Sequence, residues 1–415
     1  MSEISHVNPD MHVHYRGEAG SLFGKAFGAA LLTMLTLGIY RFWMKARLRR
    51  YYWASIEPGG IPLEYTGTGL EKLLGFLIAV VILAVYLGVF NLAFSFVGLA
   101  IFQGNPIALN ISFLAAIPLI FYARYRSRGY ILSRTRWRGL RFGLEPDAWK
   151  YTLKAIGHTL LTIVTLGILF PRQRFMMEKF VTDRTWYGNL QMRQNGKWTM
   201  NLKPWLIVLL MLVLTIAAYA AIIFKAIAAA NQGIDPQGIG LLIFLAFLGY
   251  LLAGFAYVYF SVVSFRNMAN CKVLGENIRF TSKIRTGKVT GIYVLGGLGM
   301  GIAALLIGFI VMGGIVAMMV NMELPNYQFG GQQGDGMPVG AQWASVAAIG
   351  IGYLAILLLA GALAQVFIVQ PILRHYASEL TLHNLAELET ATQRPHDSSV
   401  DAGGFADALD VGAAI

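Results

Sequence analysis

The chain contains an internal repeat. Residues 25–40 match residues 154–169 at a constant offset of 129, with 10 identities in 16 positions and no gap. A repeat constrains architecture before any function is considered, because two copies of one segment are expected to fold alike and to meet a membrane in the same way. The matched residues of this repeat motif include Lys25, Thr33, Thr36, Gly38, Lys154, Thr162, Thr165 and Gly167.

The composition indicates a membrane protein. Of 415 residues, 56% are hydrophobic and 13% are charged, and the mean hydropathy is +0.59. Several apolar runs reach the length of roughly 20 residues that crosses about 30 Å of hydrocarbon as a helix. We therefore predict an all-α polytopic membrane protein. The runs predicted to span are 73–101, 107–123, 205–230, 238–263, 289–320 and 344–370.

Basic residues are distributed unevenly along the chain. The net charge is +12, and 27 of the 33 Lys and Arg residues lie in four segments, whereas the connections 102–106, 231–237 and 321–343 have none. Lys and Arg accumulate in cytoplasmic loops, so we expect the basic segments and both termini in the cytoplasm. The four basic segments are 41–72, 124–150, 171–204 and 264–288.

The repeat and the charges together favour two apolar segments that do not span. If the repeat segments 22–40 and 151–170 both crossed the bilayer, the first two basic segments would lie outside with 14 basic residues. We therefore predict six full transmembrane helices plus two re-entrant or interfacial apolar segments. Lys25 and Lys154 fit this interpretation, because a lysine near a helix start can snorkel to the headgroups. The alternative is that both copies span and the charge rule, which is statistical, fails here.

This prediction divides the chain into consecutive parts. The expected order is a cytoplasmic N-terminal segment, two repeat copies, three transmembrane hairpins, two separate basic modules and a C-terminal segment with a disordered tail from about residue 388. The boundaries are 1–20 (N-terminal segment), 21–72 (first copy with its basic module), 73–123 (hairpin), 124–150 (basic module), 151–204 (second copy), 205–263 (hairpin), 264–288 (basic module), 289–371 (hairpin with an acidic outer loop) and 372–415 (C-terminal segment).

Each basic segment has a similar plan. A basic helical start leads to an aromatic residue, then to a glycine-centred turn and a short run of alternating apolar residues. Alternation with period two predicts short strands, so we expect short cytoplasmic β-like modules that tie the helices together. The alternating residues are Ile61, Leu63 and Tyr65; Leu140 and Phe142; Leu190 and Met192; Ile278 and Phe280.

Cations interleaved with Trp and Tyr at the ends of apolar helices are typical of membrane-interface anchors. The expected partners are the lipid bilayer and its anionic headgroups. These residues either only orient the helices, or the modules pack into a platform that binds an anionic ligand or partner. The interface candidates are Arg47, Arg49, Arg50, Arg134, Arg136, Trp137, Arg138, Arg172, Arg174 and Trp186.

The sequence offers little catalytic chemistry. Cys271 is the only cysteine, so neither an intramolecular disulfide nor a cysteine cluster for a metal is expected. His12 and His14 fall in the N-terminal segment, where we expect a solvated tail. His158 lies inside an apolar stretch, but its repeat partner is Ala29. We expect no enzymatic activity, no cofactor, no metal and no nucleic-acid partner.

Three stretches resemble a known family. Residues 31–53 (LLTMLTLGIYRFWMKARLRRYYW), their second copy at 160–180, and 130–143 (YILSRTRWRGLRFG) are similar to the bacterial YjgN-like inner-membrane proteins. That family consists of integral membrane proteins of unknown function, and the resemblance covers most of residues 15–385. It implies a bacterial inner membrane and supplies no activity. The second copy departs from the first, with Glu178 where the first copy has Arg49.

Two functions remain open. Polytopic form and internal duplication are typical of a transporter- or permease-like protein for a small or amphipathic solute. The alternative is a non-catalytic membrane scaffold or a lipid- or partner-binding protein, with homo-oligomerisation possible. No Asp or Glu lies within the six predicted spans, which disfavours a proton-coupled carrier.

Overall fold

The computed structural model describes residues 10–101, 116–232, 238–321, 350, 353–354 and 356–395. The chain forms two compact units. One contains the described parts of 1–16, 49–290 and 375–415, and the other contains those of 17–48 and 291–374.

Helices make up most of the described chain. They are α1 (Ala19–Leu35), α2 (Arg41–Ala54), α3 (Gly69–Ile101), α4 (Ala116–Ser133), α5 (Ala148–Val164), α6 (Phe170–Thr182), α7 (Leu202–Gln232), α8 (Ile239–Asn270), α9 (Thr286–Asn321), α10 (Gln370–Ser378) and α11 (Ala386–Glu389). A 3₁₀ turn, Trp198–Asn201, precedes α7, and a π-helical segment, Gln365–Val369, precedes α10.

The prediction of a polytopic helical membrane protein is confirmed. Among the described residues, five helical stretches are long and apolar enough to cross a membrane: Gly69–Val97, Trp198–Asn231, Ile239–Asn270, Thr286–Ile310 and Ile356–Ser378. Much of the remaining predicted span, 107–123, lies outside the described residues. Its described part belongs to α4, which continues to Ser133, so the expected boundary at residue 123 falls within a helix. Most of the three connections without Lys or Arg also lies outside the described residues.

The two repeat copies have the same local structure. α1 and α5 begin and end at positions that differ by 129, and each is followed by a tight turn and a second helix. In these turns Gly38 N–H donates to Thr33 O at 2.7 Å, and Gly167 N–H donates to Thr162 O at 2.8 Å. Gly38 and Gly167 have φ values of +93° and +85°, a region that glycine adopts without steric cost.

In the second copy the turn joins two helices that pack against each other. Tyr151 and Ala155 of α5 share a buried cluster with Phe180 of α6. Closer to the turn, the Thr162 hydroxyl donates to Gln173 Oε1 at 2.9 Å. Helices α5 and α6 therefore form a helical hairpin. We call residues 163–169, which comprise the end of α5 and the turn, the hairpin tip.

The strands form one antiparallel sheet in the first unit. They are β1 (Asp10–Tyr15), β2 (Ile56–Pro58), β3 (Glu64–Tyr65), β4 (Thr135–Trp137), β5 (Leu140–Leu144), β6 (Thr185–Tyr187), β7 (Leu190–Gln194), β8 (Lys272–Leu274), β9 (Ile278–Ser282) and β10 (Leu380–His383). Their order is β2-β1-β10-β9-β8-β7-β6-β5-β4-β3.

The two edge strands of this sheet are consecutive in sequence. Five residues, 59–63, join β2 to β3, and Leu63 N–H donates to Ile56 O at 3.0 Å. The sheet therefore curls until its edges approach each other, which leaves little open edge for pairing with another chain. Most of the alternating residues named above lie in these strands, whereas Ile61 and Leu63 lie in the connection before β3.

One face of the sheet encloses a hydrophobic core. Trp137, Tyr187, Leu274 and Leu382 occupy the third position of β4, β6, β8 and β10, and all four side chains are buried. Period-two alternation turns the intervening side chains to the other face. Each of these four strands directly follows a helix. A helix followed by a strand is therefore the motif that recurs in the first compact unit.

The described parts of both terminal segments differ from the expectation of solvated or disordered tails, and residues 1–9 and 396–415 lie outside the described residues. Residues 10–15 form β1, which places His12 and His14 in the sheet between β10 and β2. The chain also remains structured from residue 388 to 395. Leu388 lies in the sheet core, and Thr392 N–H donates to Asn189 Oδ1 at 2.9 Å. Sequence composition missed both because their partners are hundreds of residues away.

Candidate functional site

The hairpin tip is apolar and exposed. Val164 and Leu166 expose 79% and 87% of their surface, and Ile163 and Ile168 are also exposed. Large apolar side chains at the end of a helical hairpin cost free energy in water, at about 25 cal/mol per Å² of apolar surface. The tip is therefore suited to a hydrocarbon environment.

The tip lies against the beginning of a candidate membrane span. The indole Nε1–H of Trp205 donates to Gly167 O at 2.8 Å. Leu209 is also close, since a Cβ at Gly167 would lie 3.8 Å from its Cδ2. Trp205 and Leu209 belong to the first two turns of α7, so the tip reaches only the first part of this helix.

An aromatic layer follows on the sheet side of the tip. Phe170 of α6, Trp205 of α7 and Phe260 of α8 form a cluster with ring centroids 4.6, 4.9 and 6.0 Å apart. Trp and other amphipathic rings are enriched where hydrocarbon meets the headgroups. Here the Trp205 ring is buried by Phe170 and Phe260, so it fixes the hairpin against the two spans.

Charged residues occupy the next turns of α6. The Arg174 guanidinium carbon lies 5.2 Å from the centre of the Phe260 ring, and Glu178 lies one turn further on. The ammonium group of Lys272, from β8, is 2.6 Å from Glu178 Oε1. The aliphatic tip is therefore followed along α6 by the aromatic Phe170, then the cationic Arg174, then the ion-paired Glu178.

Two arginines of α4 extend the cationic group. Arg124 and Arg128 are exposed and stand four residues apart, so they project from the same face of the helix. Their charges lower the pKa of Tyr151, although burial of the phenol raises that pKa more strongly. We call Arg124, Arg128, Arg174 and Lys272 the cation cluster.

Glu178 is held ionised by the cation cluster. Lys272 above all, with Arg128 and Arg174, lowers the Glu178 pKa to about 2, against the opposing effect of burial. Burial lowers the pKa of Arg174, but a guanidinium remains protonated in proteins. Three cations, Lys272, Arg128 and Arg174, act on this one carboxylate and leave an excess of positive charge. Guanidinium forks match phosphate and carboxylate oxygens, so this cluster is suited to bind an anion.

The first copy has a different arrangement at the equivalent position. Arg49, which corresponds to Glu178, is buried and donates through Nη1 to the Tyr65 hydroxyl at 3.2 Å. Its guanidinium carbon and the Lys72 ammonium lie 5.3 and 5.5 Å from the centre of the Tyr65 ring. The difference between Arg49 and Glu178 therefore gives the two copies different charged surroundings.

The interface candidates named from the sequence do not form one site. Trp137 is only 4% exposed and donates to Ile61 O inside the sheet core, so its ring is unavailable to headgroups, unlike the expectation. Arg134 pairs with Glu71 at 3.3 Å, and Trp186 donates to Glu145 Oε1 at 2.9 Å. The Arg138 guanidinium lies over the Trp137 ring.

The remaining candidates are dispersed as well. Arg136 lies on β4 opposite Glu64 and Arg141 of the neighbouring strands. Arg50 donates to Gly67 O, Arg47 lies over the Tyr40 ring, and Arg172 contacts His158 at 3.1 Å. Of the whole set, only Arg174 belongs to the cation cluster.

The sequence reasoning missed three members of the cluster. Arg124 and Arg128 carry a visible signal, a pair of arginines four residues apart at the end of an apolar run. Lys272 carries none, because it reaches Glu178 across 94 residues of sequence.

A second polar cluster lies on the other face of the sheet. His383 contacts Asp10 Oδ1 at 2.6 Å through Nδ1 and the Thr281 hydroxyl at 2.9 Å through Nε2. Acid, imidazole and hydroxyl occur in this order in hydrolase triads. Here they sit on paired strands β1, β10 and β9, whose backbone groups are engaged in the sheet, and we assign no chemistry to them. Within the described ranges no group of three or more His, Cys, Asp or Glu side chains is arranged to hold a metal ion.

Comparison with known proteins gives two matches. The model of the family described as bacterial protein of unknown function (DUF898) matches residues 10–299. Inner membrane protein YjgN of Salmonella typhimurium is 25% identical over 187 residues, which cover 39% of this chain and 45% of that protein. The match thus spans about half the length of this curated relative. No solved structure matches the chain.

Proposed function

The chain belongs to the DUF898 family of bacterial proteins of unknown function, and we propose that it is a non-catalytic scaffold of the inner membrane that binds lipid through re-entrant hairpins. In this proposal the sheet lies at the cytoplasmic surface with both termini, and the hairpin tip enters the cytoplasmic leaflet. The name of the Salmonella relative supports the location.

One observation carries the proposal: a single sheet contains strands from all four basic segments. Strand β5 precedes the α5–α6 hairpin, strand β6 follows it, and the two strands pair with each other. Paired strands lie on one side of the bilayer, so the chain between β5 and β6 crosses it an even number of times, either twice or not at all, and a single crossing by the apolar repeat segment is excluded. The same argument applies to β1 and β10, which pair near the two ends of the chain.

The length of the hairpin agrees with partial insertion. From Lys154 to Leu166 there are twelve residues, or about 18 Å at 1.5 Å per residue, compared with about 30 Å for the hydrocarbon core. The polarity along α6 follows the order of half a bilayer, with ion pairs toward the sheet and aliphatic residues at the tip. Contact between Gly167 and Trp205, near the beginning of a span, also supports a shallow position.

The packing of spans α7 and α8 supports a scaffold function more than a transport function that needs a solute path between helices. The contact between them includes Gly249, where a Cβ would lie 2.7 Å from the Thr215 hydroxyl oxygen. Ala246, Ala253 and Ala256 are buried in the same region of α8. Small residues allow close approach of membrane helices, and this pair therefore packs tightly.

Cysteine labelling tests the topology. In a Cys271→Ser background, Arg138→Cys and Asn189→Cys place thiols in the turns before and after the hairpin, and Asn231→Cys places one at the far end of α7. With a membrane-impermeant reagent on intact spheroplasts, we expect labelling of Asn231→Cys alone, and labelling of the other two after permeabilisation. Labelling of Asn189→Cys but not Arg138→Cys in intact spheroplasts would mean that the chain crosses the bilayer once between them. Labelling of Leu166→Cys in intact spheroplasts would mean that both helices of the hairpin cross it.

A transporter makes a different prediction. Reconstituted protein would then release an entrapped solute from proteoliposomes. The scaffold proposal expects no flux above that of protein-free liposomes for small anions, cations or amphiphiles, and a saturable flux would overturn it.

A further inference from the structure

Resting on the proposed membrane scaffold, we infer that the cation cluster of Arg124, Arg128, Arg174 and Lys272 is a binding site for the phosphate group of an anionic phospholipid. On the sheet side of the aromatic layer, α4 packs on α6 through Tyr125 and Phe180, whose ring centroids are 5.9 Å apart, and β8 meets α6 through the Lys272–Glu178 pair. The site differs from the dispersed interface arginines because its basic residues lie on elements that pack around α6.

The geometry first shows why the cluster holds its shape. Lys272 is fixed by its 2.6 Å contact with Glu178, and Arg174 is fixed by packing of its guanidinium on Phe260. The Glu178 carboxylate offsets part of the repulsion among Lys272, Arg128 and Arg174. One acid cannot offset three cations, so the assembly gains from an additional anion.

The exposed arginines give the site its entrance. Arg124 and Arg128 are exposed on α4, whereas Arg174 and Lys272 are partly buried. An incoming phosphate oxygen can therefore exchange water for guanidinium donors without displacing the Lys272–Glu178 pair. Each basic side chain near a membrane surface contributes about 1 kcal/mol to attraction of anionic lipid.

The position of the cluster beside two candidate membrane spans favours a phospholipid as its ligand, compared with a free phosphate ion. Phe260, which supports Arg174, belongs to a candidate membrane span, and it contacts Trp205 at the beginning of another. Along α6, Phe170 lies one turn closer to the tip than Arg174. A phospholipid with its phosphate at the cluster would thus have its acyl chains beside the aromatic layer and the exposed aliphatic tip.

The test uses the full chain purified in detergent, with phosphatidylglycerol or phosphatidylcholine added and lipid retention measured by native mass spectrometry. Arg124→Gln/Arg128→Gln removes two exposed charges of the site. Arg138→Gln/Arg394→Gln is the matched control, because these exposed arginines lie over the Trp137 and Trp186 rings, outside the cluster. We expect the first variant to retain about one tenth as much phosphatidylglycerol as the unmodified protein. The control variant should retain as much as the unmodified protein. Equal losses in both variants would overturn a specific site.

An Arg174 variant and a competition experiment with inorganic phosphate distinguish a lipid site from a free-phosphate site. Arg174→Gln, with helicity verified by circular dichroism, is expected to lower retention of phosphatidylglycerol while leaving that of phosphatidylcholine unchanged. Inorganic phosphate at millimolar concentration should not displace the lipid, and full displacement would identify a free-phosphate site instead. Unchanged retention in every cluster variant, with the labelling pattern of the hairpin intact, refutes this site alone. A spanning pattern in the labelling experiment refutes the scaffold.

Discussion

The indole nitrogen of Trp205 lies 2.8 Å from the carbonyl oxygen of Gly167. This hydrogen bond joins the tip of the second repeat copy to the first turns of a candidate span. The same oxygen accepts from Phe170 N–H at 3.1 Å, so Trp205 is its second donor. In apolar surroundings the carbonyl groups of a turn need donors from within the protein, and the indole provides one where the chain turns between α5 and α6.

Removing the indole donor should loosen the hairpin tip. We expect Trp205→Phe, which keeps the aromatic packing, to lower the free energy of unfolding by about 1 kcal/mol, the usual net value of one hydrogen bond. A spin label at Leu166→Cys should also become more mobile. Trp149→Phe is the control, because the exposed Trp149 ring packs on Tyr122 away from the tip. Equal losses in thermal unfolding would contradict the special role of Trp205.

The turn depends on glycine at residue 167. With φ at +85°, an alanine there is strained by about 1 kcal/mol, so Gly167→Ala should lower the unfolding temperature in detergent. Gly157→Ala is the matched control. Gly157 lies inside α5 with open space around its Cα, so alanine should stabilise the helix by about 0.5–1 kcal/mol. Opposite signs in the two melting curves are the expected result, and a loss of similar size at both positions would argue against turn strain.

The Glu178 carboxylate should make stability depend on pH. Its pKa is lowered from 4.5 to about 2 in the folded protein, so its contribution is fully present above pH 4.5 and is lost as the pH falls toward 2. Since a third of the side chain is exposed, we expect the contribution to be about 1 kcal/mol. Unfolding temperatures of the unmodified protein and Glu178→Gln should converge as the pH falls from 6 to 3. Glu389→Gln, an exposed acid, should leave the pH profile unchanged.

The C-terminal segment should stabilise the sheet through Glu387. Its carboxylate accepts hydrogen bonds from Glu276 N–H at 2.9 Å and from Asn277 Nδ2 at 2.7 Å, in the turn between β8 and β9. Glu387→Ala should cost about 1–2 kcal/mol and accelerate amide exchange at residues 275–277. Glu389→Ala, two residues away and exposed, is expected to change neither property. Unchanged exchange in Glu387→Ala would show that the segment does not hold this turn.

The repeat shows what the sequence predicts, which is the local fold of each copy, and what it does not predict, which is the surroundings of each copy. Ten identities in sixteen positions predicted that residues 25–40 and 154–169 fold alike, and both have the same helix ends and the same turn hydrogen bonds. The sequence did not reveal what surrounds them. Arg49 and Glu178 are equivalent in the alignment, yet one contacts Tyr65 and the other pairs with Lys272.

Local pattern therefore determined the helices, the apolar spans, the repeat and most of the strand-forming runs, because these depend on residues a few positions apart. The tertiary structure alone decided that the basic segments share one sheet, that Trp137 is buried, and that Arg174 is the one interface candidate in the cation cluster. Those outcomes depend on pairs such as Asp10 with His383 and Glu178 with Lys272, which are distant in sequence. Strand pairing and ion pairing act through space, so no local periodicity records which segments will meet.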